Sequence, residues 1–202
     1  MPKIVDEQTR ELTRRRILQE AAREFARLGF DQANINIIAE QAGIGKGTIY
    51  LYFENKRELF LAMLRAIAQA HIAAIRASLA SPGTLQARLE GLYSAFAHLA
   101  AQDRDSFNVY MSALYGVNRS FQAEAIKLMR DYVAIIALML ETSQARDEIT
   151  CADIEACALM VLSQTESYVL SAITLGQSEQ ALARQAPEVA RLILHGLSDQ
   201  SG

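Results

Sequence analysis

The sequence has few of the residues that interrupt helices or cross-link small folds: three prolines, ten glycines, two cysteines and no tryptophan in 202 residues. A hydrophobic fraction of 51% with so few chain breakers excludes a disordered polypeptide and allows a packed core. Strand-length runs of valine and isoleucine between turn residues are lacking, whereas alanine, leucine, glutamate, arginine and glutamine dominate. The composition therefore predicts an all-α protein.

The two cysteines, Cys151 and Cys157, are too few for a disulfide framework. The pattern around them predicts a single helix. Six positions on a helix separate two side chains both along and around its axis, which disfavours a bridge between them. We therefore expect two small, buried apolar side chains.

Long apolar runs are also lacking. The longest, at residues 133–140, is far shorter than the roughly 20 residues that a membrane-spanning helix needs. The first residues carry charged side chains rather than the apolar segment of a secretion signal. We therefore expect a cytoplasmic protein that does not contact a membrane.

The net charge of −3 at pH 7 would by itself argue against nucleic-acid binding, but the charges are unevenly distributed. Residues 1–60 contain ten basic and nine acidic side chains, whereas residues 61–202 contain ten basic and fourteen acidic ones. The N-terminal part includes a basic cluster at Arg10, Arg14, Arg15 and Arg16. If the protein binds DNA, this part must therefore provide the contact surface.

The stretch 34–59 has the pattern of two short helices joined by a glycine turn. One face of the first helix is apolar at spacings of three and four, at Ile35, Ile38, Ala39 and Ala42. Gly43 follows, where a residue that tolerates positive φ ends a helix. Ile49 and Phe53 share one face of the second helix, whose outer face carries hydroxyl, aromatic and lysine side chains. This is the helix-turn-helix layout.

The same stretch carries a signature in fixed register: Ile38-Ala39, Ala42-Gly43-Ile44, Lys46-Gly47-Thr48-Ile49-Tyr50, Tyr52-Phe53, Asn55-Lys56 and Leu59. The pattern continues upstream through Arg16-Ile17-Leu18, Ala21-Ala22, Phe25-Ala26 and Gly29-Phe30. Together these residues, roughly 10–65, resemble the DNA-binding region of the TetR family of bacterial transcriptional regulators. The resemblance implies a DNA-binding regulator. It departs from the family at Gly45, where serine is common.

A helical wheel with Ile49 and Phe53 inward predicts the contact surface. Lys46, Gly47 and Leu51 would face base edges in the major groove, and Thr48, Tyr52 and Lys56 would face phosphates. Tyr50 could contact either a base or a phosphate. The predicted DNA-binding set is Asn34, Lys46, Gly47, Thr48, Tyr50, Leu51, Tyr52 and Lys56. Because Gly45 and Gly47 weaken an isolated helix over residues 46–53, we expect this helix to be partly mobile until it meets DNA.

Turn residues and apolar periodicity predict about nine helices. Three of them form an N-terminal helix-turn-helix DNA-binding domain over residues 1–54. Six form a C-terminal ligand-binding and dimerisation bundle over residues 55–202. The predicted interruptions are a loose arm at 1–8, Gly29, Gly43, residues 81–83, residues 116–118 and Gly176.

One such small domain offers few phosphate contacts, so useful affinity requires a homodimer on a palindromic, double-stranded operator. The last two predicted helices carry the small and apolar side chains that a four-helix seam needs. The predicted interface is Ala156, Met160, Ser163, Gln164, Ser167 and Ile193. The alternative, that these residues pack only inside one subunit, stays open.

The middle helices concentrate aromatic and methionine side chains, a composition typical of an apolar effector pocket and equally of an ordinary core. The candidate ligand-binding set is Phe96, Phe107, Tyr110, Met111, Leu114, Phe121, Met129, Tyr132, Ile136, Met160 and Tyr168. The resemblance implies that a small-molecule effector binds among these helices and changes the spacing of the two DNA-binding domains. We expect a repressor that its effector releases from DNA.

Catalytic, metal and cofactor sites are not expected. The three histidines, His71, His98 and His195, lie on different predicted helices without an HExxH or ExxH pattern. Two alternatives stay open. One is a DNA-binding regulator without a small-molecule ligand, controlled by a protein partner. The other is a helical-bundle enzyme or small-molecule binding protein.

Overall fold

A computed structural model describes residues 7–80, 82–116 and 119–197, which form eight α-helices and one short 3-10 helix, without a strand among them. The α-helices are α1 (Glu7–Gln32), α2 (Ile35–Gln41), α3 (Lys56–Leu79), α4 (Leu85–Gln102), α5 (Arg104–Tyr115), α6 (Gln122–Gln144), α7 (Ile154–Thr174) and α8 (Glu179–Leu197). The 3-10 helix Thr48–Leu51 lies between α2 and α3. The all-α prediction is confirmed. Most of the predicted arm, Ser81 and part of the turn at 116–118 fall outside the described residues.

The chain divides into two compact units. The first contains the residues up to Ala68 together with Asp105–Ala125, and the second contains Gln69–Arg104 together with the residues from Ile126 onward. The first unit therefore holds the helix-turn-helix stretch and most of α5. The domain boundary predicted between residues 54 and 55 falls just before α3 begins and stays a prediction.

Local sequence signals account for several helix ends. Thr84 caps α4 by accepting a hydrogen bond from the Ala87 N–H, and Asp153 caps α7 by accepting one from Ala156. Gly29 has a φ of 71° and kinks α1, whose helical residues continue to Gln32. Gly176, with a φ of 80°, follows the end of α7 as predicted.

The prediction for the two cysteines is wrong, because a disulfide joins Cys151 to Cys157, with their Cα atoms 7.0 Å apart. Helix α7 begins only at Ile154, so Cys151 lies in the non-helical segment before the cap and not on the helix of Cys157. The helical spacing that disfavoured a bridge does not apply there.

Two helices, α3 and α7, are long and apolar enough by composition to cross a membrane. In each, about half of the most apolar window is buried inside the protein, at 50% and 44%. The core helices of water-soluble bundles have the same composition. These two helices are therefore weak grounds for a membrane span.

Candidate functional site

Asn34 begins the helix-turn-helix stretch and caps α2. Its side chain accepts a hydrogen bond of 2.9 Å from the Asn36 N–H at the start of α2. The Asn34 N–H donates to the carboxylate of Glu24, which is 3% exposed and also accepts a bond from Arg27. The apolar periodicity of α1 gives no sign of this role of Glu24, because its partner Asn34 lies ten positions further along the chain.

Gly43 makes the turn after α2 with a φ of 70°. Its N–H donates to the carbonyl of Glu40 over 3.0 Å, and the Ile44 N–H donates to that of Ala39 over 3.0 Å. These bonds occupy carbonyls at the end of α2, as in the usual glycine-ended helix. The turn predicted from Gly43 is confirmed.

Two glycines of this stretch should respond oppositely to alanine. Gly43→Ala forces a left-handed backbone on alanine and should cost about 1–2 kcal/mol. Gly47 has a φ of −77° and no atom within 4 Å of an added Cβ, so Gly47→Ala should stabilise the fold by up to about 1 kcal/mol. Urea unfolding followed by circular dichroism measures both effects. A change of the same sign in both variants would contradict this account.

The α-helix predicted over residues 46–53 is wrong in type and in length. The structure contains a four-residue 3-10 helix, in which the Thr48 N–H bonds to the Gly45 carbonyl over 2.8 Å. Gly47 occupies the cap position and has no side chain that could accept a hydrogen bond from the first turn. Because neither glycine supplies a capping side chain or favours a helical backbone, the segment forms only the shorter helix.

The segment around the 3-10 helix nevertheless exposes part of the predicted DNA-binding set. Lys46, Gly47, Tyr50 and Leu51 are exposed, and Thr48, Tyr52 and Lys56 are half-buried. Ile49 and Phe53 are 1% and 3% exposed and anchor the segment from beneath. Leu51 is 74% exposed and Tyr50 52%, which is unusual for large apolar side chains side by side.

Two arginines of α1 lie against this surface. The guanidinium carbon of Arg10 is 5.9 Å from the ring centre of Tyr52, and that of Arg14 is 5.6 Å from the ring centre of Phe53. The sequence placed both residues in a basic cluster but not in the DNA-binding set. Their spacing of four, one turn of a helix, was the available signal. They bring positive charge beside the predicted phosphate contacts.

Lys56 makes contacts that the sequence did not indicate. Its ammonium donates to the carbonyls of Asp31 and Ala33 over 2.9 and 2.8 Å and lies 5.0 Å from the ring centre of Phe30. The Lys56 side chain therefore links the start of α3 to the residues at and just after the C-terminal end of α1. Its predicted phosphate contact stays a prediction, as does the DNA contact of Asn34.

The predicted effector residues divide between the two units. The first unit contains Phe107, Tyr110, Met111, Leu114 and Phe121, and the second contains Phe96, Met129, Tyr132, Ile136, Met160 and Tyr168. All are buried or half-buried except Met160, which is 56% exposed. Phe121 packs with Phe30 and Phe60 at ring distances of 4.6 and 4.1 Å in the first unit.

In the second unit, two polar side chains, His71 and Tyr132, lie among buried aromatic rings. His71 is 4% exposed, and a hydrogen bond of 3.3 Å joins its Nδ1 to the Tyr132 hydroxyl. Burial lowers the pKa of His71 to about 4, although the charge of Asp103 acts in the opposite direction. Burial also raises the pKa of Tyr132, and the charges of Glu166 and Asp131 raise it further. At neutral pH both rings are therefore uncharged.

The predicted dimer residues of α7 lie on one side of that helix. Ala156, Met160, Gln164 and Ser167 are exposed, and Ser163 is half-buried. Ile193 of α8 differs, since it is 8% exposed and packs inside its own chain, whereas its neighbour Leu192 is 58% exposed. Leu192 lies outside the predicted interface, and its exposure makes it the better candidate on α8.

Known proteins resemble both the stretch and the whole chain. Residues 17–63 match the family model described as bacterial regulatory proteins, tetR family. Over 185 residues the chain is 22% identical to the fatty acid metabolism regulator protein of Bacillus subtilis (strain 168), covering 91% of this chain and 95% of that protein.

Two solved structures share the fold, each with a TM-score of 0.80 and covering 91% of this chain and 98% of the other. One is the fatty acid degradation regulator FadR from Bacillus halodurans, at 21% identity. The other is the transcriptional regulator FadR from Bacillus subtilis in complex with stearoyl-CoA, at 22% identity. At these identities the likeness establishes the fold alone.

Proposed function

Because this chain belongs to the TetR family of bacterial transcriptional regulators, we propose that it is a cytoplasmic, dimeric repressor that a long-chain acyl thioester releases from DNA. Proteins of this family bind DNA through a helix-turn-helix and are not enzymes. Repression, dimerisation, the cytoplasmic location and the effector are the proposed parts.

The exposed face of residues 46–52 is the observation that carries the proposal. Tyr50 and Leu51 form an apolar tip that a thymine methyl and a sugar edge would cover, while Lys46 can donate to guanine. Arg10 and Arg14 lie beside that tip. Apolar and basic groups together are what a major-groove surface needs, since phosphate contacts position the protein and base contacts specify the sequence.

The dimer proposal is supported by the outer side of α7. The exposed residues Ala156, Met160 and Ser167 share one side of the helix, and the small side chains among them allow a second helix to approach closely. We call the exposed face of residues 46–52 the reading surface. A two-fold dimer would present two copies of the reading surface to one operator, which doubles the number of phosphate contacts.

The effector proposal is supported by the relatives. The Bacillus subtilis structure with the same fold contains stearoyl-CoA, and the relative that matches along nearly the whole chain regulates fatty acid metabolism. A bundle rich in buried aromatic and aliphatic side chains, as in the second unit here, suits a long acyl chain.

The test is DNA binding by the full-length protein to a labelled duplex from the region upstream of its own gene. Binding should weaken steeply with salt, because cationic side chains displace counterions from phosphates. Saturating stearoyl-CoA should weaken binding at least about tenfold, and free CoA at the same concentration should not, since only a ligand that prefers one form shifts the equilibrium.

Two results would contradict different parts of the proposal. Equal DNA affinity with and without stearoyl-CoA would show that the acyl thioester is not the effector and would favour control by a protein partner. If sedimentation shows the mass of a single chain both for the free protein and for the protein bound to the duplex, the dimer proposal is wrong.

A further inference from the structure

A cleft of about 550 Å³ opens in the second unit, a volume typical of small-molecule sites. Its walls combine three arginines with apolar side chains, and none of the described residues that line it is acidic. The lining includes Arg76, Arg88, Arg146, Leu79, Ile135 and Leu138. Leu138 is 64% exposed, so the apolar wall is open to a ligand. None of these residues belongs to the predicted effector set.

Arg88 is the fixed member of the three arginines, with a side chain 7% exposed. One terminal nitrogen donates to the Ser143 hydroxyl over 3.1 Å and to the Glu148 carboxylate over 3.0 Å. Its Nε is buried and has no hydrogen-bond partner in the part of the chain that the structure describes. A buried donor of a charged group that lacks an acceptor is costly, and an added anion beside it would lower that cost.

The cleft also has more positive than negative charge. The Glu148 carboxylate serves two arginines, since it also lies 4.0 Å from Arg146, and it accepts a bond of 3.0 Å from the Leu85 N–H. Arg76 is exposed and makes no ion pair among the described residues. One carboxylate therefore pairs with two of the three guanidinium groups, and the third, that of Arg76, adds a positive charge that can attract an anion.

We propose that this cleft binds the anionic end of an amphiphilic ligand, with Arg76 and Arg146 on its phosphate or carboxylate oxygens. The adjoining apolar part of the ligand lies against Leu79, Ile135 and Leu138. Guanidinium groups suit these oxygens because they donate two parallel hydrogen bonds. The inference rests on the proposed function, because a long-chain acyl thioester of CoA combines phosphates with a long apolar chain.

The test compares single and double glutamine variants of the two exposed arginines, Arg76→Gln and Arg146→Gln, with the wild type. Stearoyl-CoA is titrated below its micelle-forming concentration, and binding is followed by calorimetry. Each substitution should weaken binding about tenfold, since each removes a charge-assisted hydrogen bond. Arg184→Gln is the matched control, because Arg184 is an exposed arginine of α8 in the same unit and does not line this cleft, and it should stay within about twofold.

The source of the anion is resolved by titrating stearate and free CoA in parallel. If the phosphates of CoA occupy the cleft, the variants lose affinity for stearoyl-CoA and free CoA and keep their affinity for stearate. If any anionic head is accepted, the affinity for stearate falls as well. Both results support an anion site. Unchanged thermal unfolding of the variants excludes a folding defect.

The inference and the proposed effector fail in different ways. If the double variant binds stearoyl-CoA and stearate as tightly as the wild type does, the cleft is not the anion site and the proposed effector is unaffected. If the wild type binds neither molecule, both the cleft and the effector are overturned.

Discussion

Replacing Tyr50 and Leu51 together by alanine is expected to weaken binding to the operator by at least about 100-fold. Each side chain that reads a base edge contributes roughly 1–3 kcal/mol, and the two are adjacent on the exposed tip of the 3-10 helix. Because both are largely exposed, the substitutions should leave the free energy of unfolding nearly unchanged. Fluorescence anisotropy with the upstream duplex measures the affinity.

Leu28→Ala is the matched control for this double variant. Leu28 is also an exposed leucine of the first unit, 36% exposed, but it lies at the opposite end of α1 from Arg10 and Arg14. Its removal should leave operator affinity within about twofold. If the double variant keeps its operator affinity, or if Leu28→Ala loses as much, the proposed reading surface is wrong.

The second expected result concerns pH and His71. The pKa of this buried imidazole is about 4 in the folded protein against an ordinary value of 6.5, so the unfolded chain binds the extra proton first as pH falls. Titration of His71 therefore leaves the free energy of unfolding unchanged above about pH 6.5 and lowers it as pH falls from 6.5 to 4. From pH 7.5 to 5 the wild type should lose about 2 kcal/mol more unfolding free energy than His71→Gln.

Tyr132→Phe separates the causes of this pH dependence. The variant removes the hydroxyl bonded to His71 and keeps the ring that buries it. Since burial is the larger cause of the lowered pKa, Tyr132→Phe should keep the pH dependence of the wild type. Urea unfolding at several pH values provides the free energies. Equal losses in the wild type and His71→Gln would show that His71 does not titrate as described.

Residues close in sequence were the ones that could be predicted. The Asn34 cap, the Gly43 turn and the inward side of Ile49 and Phe53 all follow from spacings of a few residues. The type of the helix that follows Gly47 was wrong, although the side predicted to face inward, Ile49 and Phe53, is buried. The inward and outward sides of a single turn are similar in a 3-10 helix and an α-helix, so the pattern could not separate the two.

The polar interior of the bundle was not predictable in the same way. His71 and Tyr132 meet across 61 positions of sequence, as do Arg88 and Glu148 across 60. A histidine or arginine within an amphipathic pattern is ordinarily placed on the solvent side. No residue near His71 or Arg88 in sequence indicates that its partner is Tyr132 or Glu148.

The sequence by itself determined the helical class, the cap at Asn34, the glycine turn and the inward side of Ile49 and Phe53. Each of these depends on backbone preferences and on side chains within about one helical turn. Only the tertiary structure decided that Lys56 binds the carbonyls of Asp31 and Ala33, that Arg10 and Arg14 flank the reading surface, and that a disulfide joins the cysteines. These contacts depend on the exact end of a helix or on segments brought together by packing, which a one-dimensional pattern does not contain.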